Sequence, residues 1–197
     1  GSSFKPITAA IGLEEGAIDP TRDYGNEGLR WQKDASWGAY FVSTLHTYAP
    51  VNLENALIYS DNIYFAKAAL RIGAGQWEKA LRGLGFGEEI PFPIKMAPSQ
   101  YTNGDGMETE IQLAFCNEGN MLRPWLFSEE GVSGESWIAD AFSPSTADRV
   151  MEAIKKVVTH PDGTGYGARW TDVVLAGKTG TAEIKAAKED KTGTELG

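Results

Sequence analysis

Apolar residues spaced three and four apart recur through most of this chain, and a stretch with the composition of a buried strand occurs only near its end. That imbalance predicts a body built from helices. SPSTADRVMEAIKKVVTH, residues 143–160, carries a stripe of Val150, Ile154, Val157 and Val158, with Ser145 and Asp148 in a capping-box pattern. PVNLENALIYSDNIYFAKAALRIG, residues 50–73, reads as two helices meeting at Ser60-Asp61-Asn62. Asn52 is the expected N-cap there, Leu53, Ala56 and Leu57 the inward face, and Gly73 the stop. GQWEKALRGLG turns Trp77, Ala80, Leu81 and Leu84 to one side, and METEIQLAFCNEG is also helical. At the start, GSSFKPITAAIGLEEG aligns Phe4, Ile7, Ala10 and Ile11, with Pro6 tolerable in the first turn and Gly16 at the stop. WQKDASWGAYFVSTL reads as loop and short strand, and WTDVVLAGKTGTAEI, residues 170–184, as the strand. The expected class is therefore α+β, mainly helical, with an incomplete sheet. One strand is not a sheet, and little beyond residues 194–197 is left to pair with it, so residues 170–197 are expected to be poorly ordered or paired with another copy or fragment of the protein.

Several chemistries are made improbable by counting. The 197 residues suffice for one domain, and 42% apolar with 11% aromatic residues argues against disorder. A net charge of -9 disfavours nucleic acid and anionic membrane surfaces as partners. No run of 18 apolar residues and no signal peptide is present. The one cysteine, Cys116, lies in the apolar run IQLAFC and reads as a core residue. No Cys, His or carboxylate spacing suits a metal. Of two histidines, His160 reads as a helix C-terminus and His46 as part of a strand. If a serine acts here, something other than histidine must activate it.

Three short motifs supply that alternative: Ser2-Ser3-Phe4-Lys5, Ser60-Asp61-Asn62, and Lys178-Thr179-Gly180 followed by Thr181. An S-x-x-K or an S-x-N arises by chance about once in a chain of this length, a K-T-G roughly once in twenty or thirty chains. K-T-G occurs twice here; the copy at 178 follows the apolar VVLAG, whereas that at 191 sits in polar AAKEDKTG and reads as coincidence. Ser2 and Lys5 fall one helical turn apart, at the positive end of the helix dipole. That geometry suits an activated hydroxyl, or equally an N-cap beside a solvated lysine. Likewise Ser60, Asp61 and Asn62 read alone as an interhelix turn, and Lys178 as an exposed charge at a strand end.

Taken together, S-x-x-K, S-D-N and K-T-G in this order resemble the motif set of class A β-lactamases and penicillin-binding proteins. GSSFKPITAAIGLE, VNLENALIYSDNIYFAKAALRIG and GKTGTAE, with HPDGTGYGA ahead of the last, resemble the transpeptidase domain of class B, monofunctional penicillin-binding proteins of the Gram-positive type. The resemblance covers essentially the whole chain, as a partial domain over residues 1–197 that starts at the S-x-x-K helix and stops after the K-T-G strand. It implies the helical lobe of the penicillin-binding protein/β-lactamase-like transpeptidase fold, and a D,D-transpeptidase that forms an acyl-serine and is acylated by β-lactams. A β-lactam sensor domain of a membrane receptor is the alternative it leaves, and a serine β-lactamase a more distant one.

By the same resemblance Ser2 is the nucleophile, and Lys5, an amine with lowered pKa, takes its proton. Ser60 relays a proton toward the leaving group. Asn62 holds the substrate's peptide amide and the lysine. Lys178 supplies positive potential, while Thr179, Gly180 and Thr181 bind the carboxylate of a stem peptide ending in D-Ala-D-Ala or of a β-lactam. The backbone N–H groups of Ser2 and Thr181 form the oxyanion hole, and Asp61 is scaffold. No cofactor is implied. The implied location is the extracytoplasmic face of the membrane, with an anchor outside this chain. The isolated chain is expected to acylate poorly, with Ser2 beside a terminus, and to self-associate through an unpaired K-T-G strand. Trp77, Trp125, Trp137 and Trp170 are expected in core or subdomain contacts.

Overall fold

A computed structural model describes residues 2–89, 97–100, 109–115, 138, 140–180, 182–184 and 194–196. Six α-helices carry the described fold: α1 (Lys5–Glu14), α2 (Leu53–Ile58), α3 (Asn62–Ile72), α4 (Ala74–Gly83), α5 (Glu110–Phe115) and α6 (Pro144–Thr159). Two short antiparallel ribbons accompany them. β1 (Arg30–Trp31) pairs with β2 (Val42–Ser43), and β3 (Ala182–Ile184) with β4 (Thr194–Leu196) in the register Ala182 to Leu196. The class is α+β and mainly helical, as expected.

α3 is the hub, because its sequence leaves almost no polar face. Ile63, Tyr64, Phe65, Ala66, Ala68, Ala69 and Ile72 are all buried, and the three alanines let neighbours approach closely. One side packs with α1, α2 and α6 around Ala9, Leu57, Phe65 and Val157. A second closes on Phe4, Trp77, Leu81 and Leu113. A third meets Trp37, Val42 and Ala114. Burying Trp77 completely, with Phe4 against its ring at 5.6 Å, is worth about 3–5 kcal/mol relative to alanine. Gly12 has a packing reason: a Cβ there would lie 2.4 Å from Cδ1 of Ile18, which folds back over α1.

Helix ends follow local chemistry, with one shift. Asn52 caps α2 by accepting from the Asn55 amide, and Gly73, at φ 80°, ends α3. α6 starts two residues earlier than its capping-box pattern suggests. Ser143, not Ser145, accepts from the Thr146 amide, because Pro144 at the first helical position has φ already set for a helix. Glu14 fixes that start by accepting from both the amide and the hydroxyl of Ser143.

Other expectations are corrected. The strand expected over 170–184 bends at 171–173 and has no strand partner through residue 180 among the described residues; a strand is found from Ala182, pairing within the chain with Thr194–Leu196. Residues 173–175 expose Val173, Val174 and Leu175, and Trp170 is 68% exposed rather than in a core. His46 lies beyond β2, not in a strand; His160 does terminate α6. Ala80 and Leu84 are half-buried. Cys116, Trp125, Trp137, Thr181 and the second K-T-G lie outside the described residues. Among the described residues, no helix is long and apolar enough to cross a membrane.

Candidate active site

Three loop–helix junctions bring the motifs together. Ser2 sits in a 3-10 turn, Ser2–Phe4, that feeds directly into α1, so Lys5 is the first residue of that helix. Ser2 does not cap α1; the N-cap position falls on Phe4, which makes no side-chain cap. Lys5 is 0% exposed, and its Nζ reaches four oxygens: Ser2 Oγ at 2.8 Å, Ser60 O at 2.9 Å, Ser60 Oγ at 3.1 Å, and Asn62 Oδ1. All four partners are neutral.

The second junction is the break between α2 and α3. The Ser60 amide donates to Leu57 O and the Asp61 amide to Ala56 O, the paired bonds of a Schellman motif. In that motif the position held by Ser60 is left-handed, and Ser60 has φ 54° where glycine is usual. Asp61 then caps α3, accepting from the amides of Ile63 at 2.8 Å and Tyr64 at 3.1 Å. Its other oxygen accepts from the Tyr48 hydroxyl at 2.6 Å, and burial beside that carboxylate drives the Tyr48 pKa far above the ordinary phenol value. Asp61 is 5% exposed and is held by α3 and Tyr48. Nothing in the order of residues marks Tyr48 as its partner. Asn62 opens α3, its amide donating to Ser43 O of β2 at 2.9 Å while its oxygen faces Lys5.

The third junction is the extended segment after α6. Gly177 N donates to Ile154 O, tying the segment to α6, and at its far end a Cβ placed on Gly180 would stand 3.7 Å from Ser3 Oγ of the N-terminal turn. Lys178 Nζ donates to Ser60 Oγ at 2.8 Å and lies 3.2 Å from Thr179 Oγ1. Burial pushes its pKa down from 10.5 to about 8. The Thr179 hydroxyl donates to Thr164 Oγ1 at 2.9 Å. Thus Ser2, Lys5, Ser60, Asn62, Lys178 and Thr179 form one connected cluster, with Gly180 beside it. Among the described residues, no group of three or more His, Cys, Asp or Glu side chains is placed to hold a metal.

A family model described as penicillin binding protein transpeptidase domain matches residues 1–196. The chain belongs to that family. Penicillin-binding protein 3 of Bacillus subtilis is 35% identical over 220 residues, spanning 100% of this chain and 33% of the relative. The peptidoglycan D,D-transpeptidase MrdA of Acinetobacter baumannii is 25% identical, covering 97% of this chain and 34% of its own length. Among solved structures, a peptidoglycan glycosyltransferase from Burkholderia ambifaria superposes with a TM-score of 0.66 at 21% identity, over 93% of this chain and 63% of that one; this likeness shows the fold. The chain spans about a third of the length of the curated relatives it matches.

Proposed function

We propose that this chain carries the acyl-transfer site of a peptidoglycan D,D-transpeptidase, that Ser2 is its nucleophile, and that β-lactams acylate the same hydroxyl. The observation that carries the reading is the single buried nitrogen of Lys5 set between the Ser2 hydroxyl and Ser60 and Asn62. Two of its four oxygen partners, Ser60 O and Asn62 Oδ1, only accept hydrogen bonds, while the two hydroxyls can also donate. This geometry places the amine within proton-transfer distance of the Ser2 hydroxyl, which activation of the serine requires.

Ser2 Oγ bonds to the penultimate D-Ala carbonyl carbon as its proton passes to Lys5. The oxyanion is held by the backbone N–H groups of Ser2 and Thr181. Breaking the C–N bond then requires a proton on the leaving D-Ala amine. Ser60 delivers it: both lone pairs of its Oγ face Lys5 and Lys178, which leaves its own O–H for the leaving nitrogen. Lys5 passes to Ser60 the proton it took from Ser2, while Lys178 keeps its charge. An amine from a second stem peptide attacks the acyl-serine, forming the cross-link and regenerating Ser2. Lys178, Thr179 and Thr181 take the terminal carboxylate. Two relatives are named peptidoglycan D,D-transpeptidases, which supports this substrate.

The test is fluorescent penicillin on the full-length protein. One covalent label per chain, mapped to the Ser2 peptide, long-lived, and lost in Ser2→Ala, is the expected result. Label elsewhere, or none, overturns the assignment, and rapid hydrolysis of the label identifies a β-lactamase. A donor stem peptide ending in D-Ala-D-Ala, given with an acceptor amine, should yield a cross-linked product; a long-lived label without product identifies a sensor.

A further inference from the structure

The loop after α6, His160-Pro161-Asp162-Gly163-Thr164-Gly165, resembles its family counterpart but has no part in the chemistry above. Its geometry is unusually constrained. The Gly163 amide donates to His160 O, the Gly165 amide to Val157 O at 3.0 Å, and the Thr164 amide to Ile58 O at 3.2 Å, which ties the loop to the last turn of α2, two residues before Ser60. Asp162 accepts from the Tyr59 hydroxyl at 3.1 Å. A Cβ on Gly163 would stand 2.2 Å from Val157 O, so only glycine lets the loop lie this close to α6. The result is a backbone pinned on both sides of a residue whose side chain is exposed.

That side chain meets the K-T-G segment. Thr164 Oγ1 accepts from Thr179 Oγ1 at 2.9 Å, while the Lys178 ammonium stands 3.2 Å from the same Thr179 oxygen. A carboxylate only accepts hydrogen bonds, so each hydroxyl that serves it must turn its single proton outward. As arranged, the Thr179 proton is committed to Thr164. A threonine can reverse that bond or join Thr179 in donating to the anion; valine can do neither.

Resting on the reading of this site as an acyl-transfer site, we propose that Thr164 is a specificity-determining residue: its hydroxyl, with that of Thr179 and the Lys178 ammonium, forms the receptor for the substrate's terminal carboxylate. Thr164 governs which acyl donors are accepted, and the pinned loop holds it in register with Ser60.

The experiment compares a penicillin with its methyl ester on the full-length protein, measuring the second-order acylation rate for Thr164→Val and Thr164→Ser. In Thr164→Val the free acid should slow about tenfold, as for loss of a hydrogen bond to a charged group. The ester should be nearly unaffected, so the acid-to-ester preference falls by the same factor. Thr164→Ser should restore the preference. Equal slowing of acid and ester would mean that Thr164 merely braces the loop, and unchanged rates for both would remove it from the site; either overturns the proposal. Wild-type protein that is not labelled at all instead overturns the function assigned to the site.

Discussion

Lys178 is the residue whose ionisation reports most directly on the site. Its pKa is lowered to about 8 because burial penalises the ammonium, so the positive charge facing Ser60 and Thr179 is present below that pH and lost above it. Acylation by a carboxylate-bearing β-lactam should therefore fall on an alkaline limb centred near pH 8. Lys178→Arg, charged throughout that range, should be slower overall but lack the limb up to about pH 10. Stability runs the other way. Between about 8 and 10.5 the unfolded chain holds the proton that the folded chain has released, so this lysine's contribution to stability rises with pH across that window. Relative to Lys178→Met, the wild-type melting temperature should climb from pH 8 to 10; a flat difference would mean the ammonium is not buried as described.

Among the elements, the end of α2 shows how a helix terminus can be given a second purpose. The bonds from Ser60 N and Asp61 N stop the helix in the manner that glycine normally serves, but the left-handed position holds a serine, whose Cβ strains the backbone by roughly 1–2 kcal/mol. Asp61 restarts the chain as α3, and Tyr48 locks that carboxylate from outside. Replacing Ser60 by glycine and by alanine separates backbone from hydroxyl. Both variants should lose most acylation, while Ser60→Gly should be more stable than Ser60→Ala by about 1 kcal/mol in urea. Equal stability, or a more stable alanine variant, would contradict the strain at this position.

Over the whole molecule, the site joins parts of unequal anchorage. Ser2, Lys5, Ser60 and Asn62 are attached to α1 and α3, whose inner faces lie in the shared core. Lys178 and Thr179 belong to an extended segment without a strand partner among the described residues, held by the bond from Gly177 to α6 and by side-chain bonds to Ser60 and Thr164. Little apolar burial secures it, and Val174 beside it is 73% exposed. Local opening of such a segment requires less free energy than global unfolding. In a urea titration the acylation rate should therefore disappear at lower denaturant than the far-UV helix signal; coincident transitions would show the segment to be part of the same cooperative unit.

Helices were legible because their signal is local: the stripes of α3, α4 and α6, the Asn52 cap and the Gly73 stop follow from spacing and from the few residues that satisfy a helix end. Even the α6 start failed only by two residues, through Pro144. The strand was less legible, since VVLAG looks the same whether or not a neighbour exists, and pairing begins only at Ala182. The three motifs, too, stand in the primary structure, and their residue types and order suffice to name the family. What required the folded chain is their convergence: that Lys5, rather than solvent, meets Ser60 and Asn62 across 55 and 57 positions, that Tyr48 secures Asp61, and that Thr164 answers Thr179. Spacing along a chain specifies which residues share a helix face; which faces meet depends on how the apolar surfaces of α1, α3 and α6 are buried together.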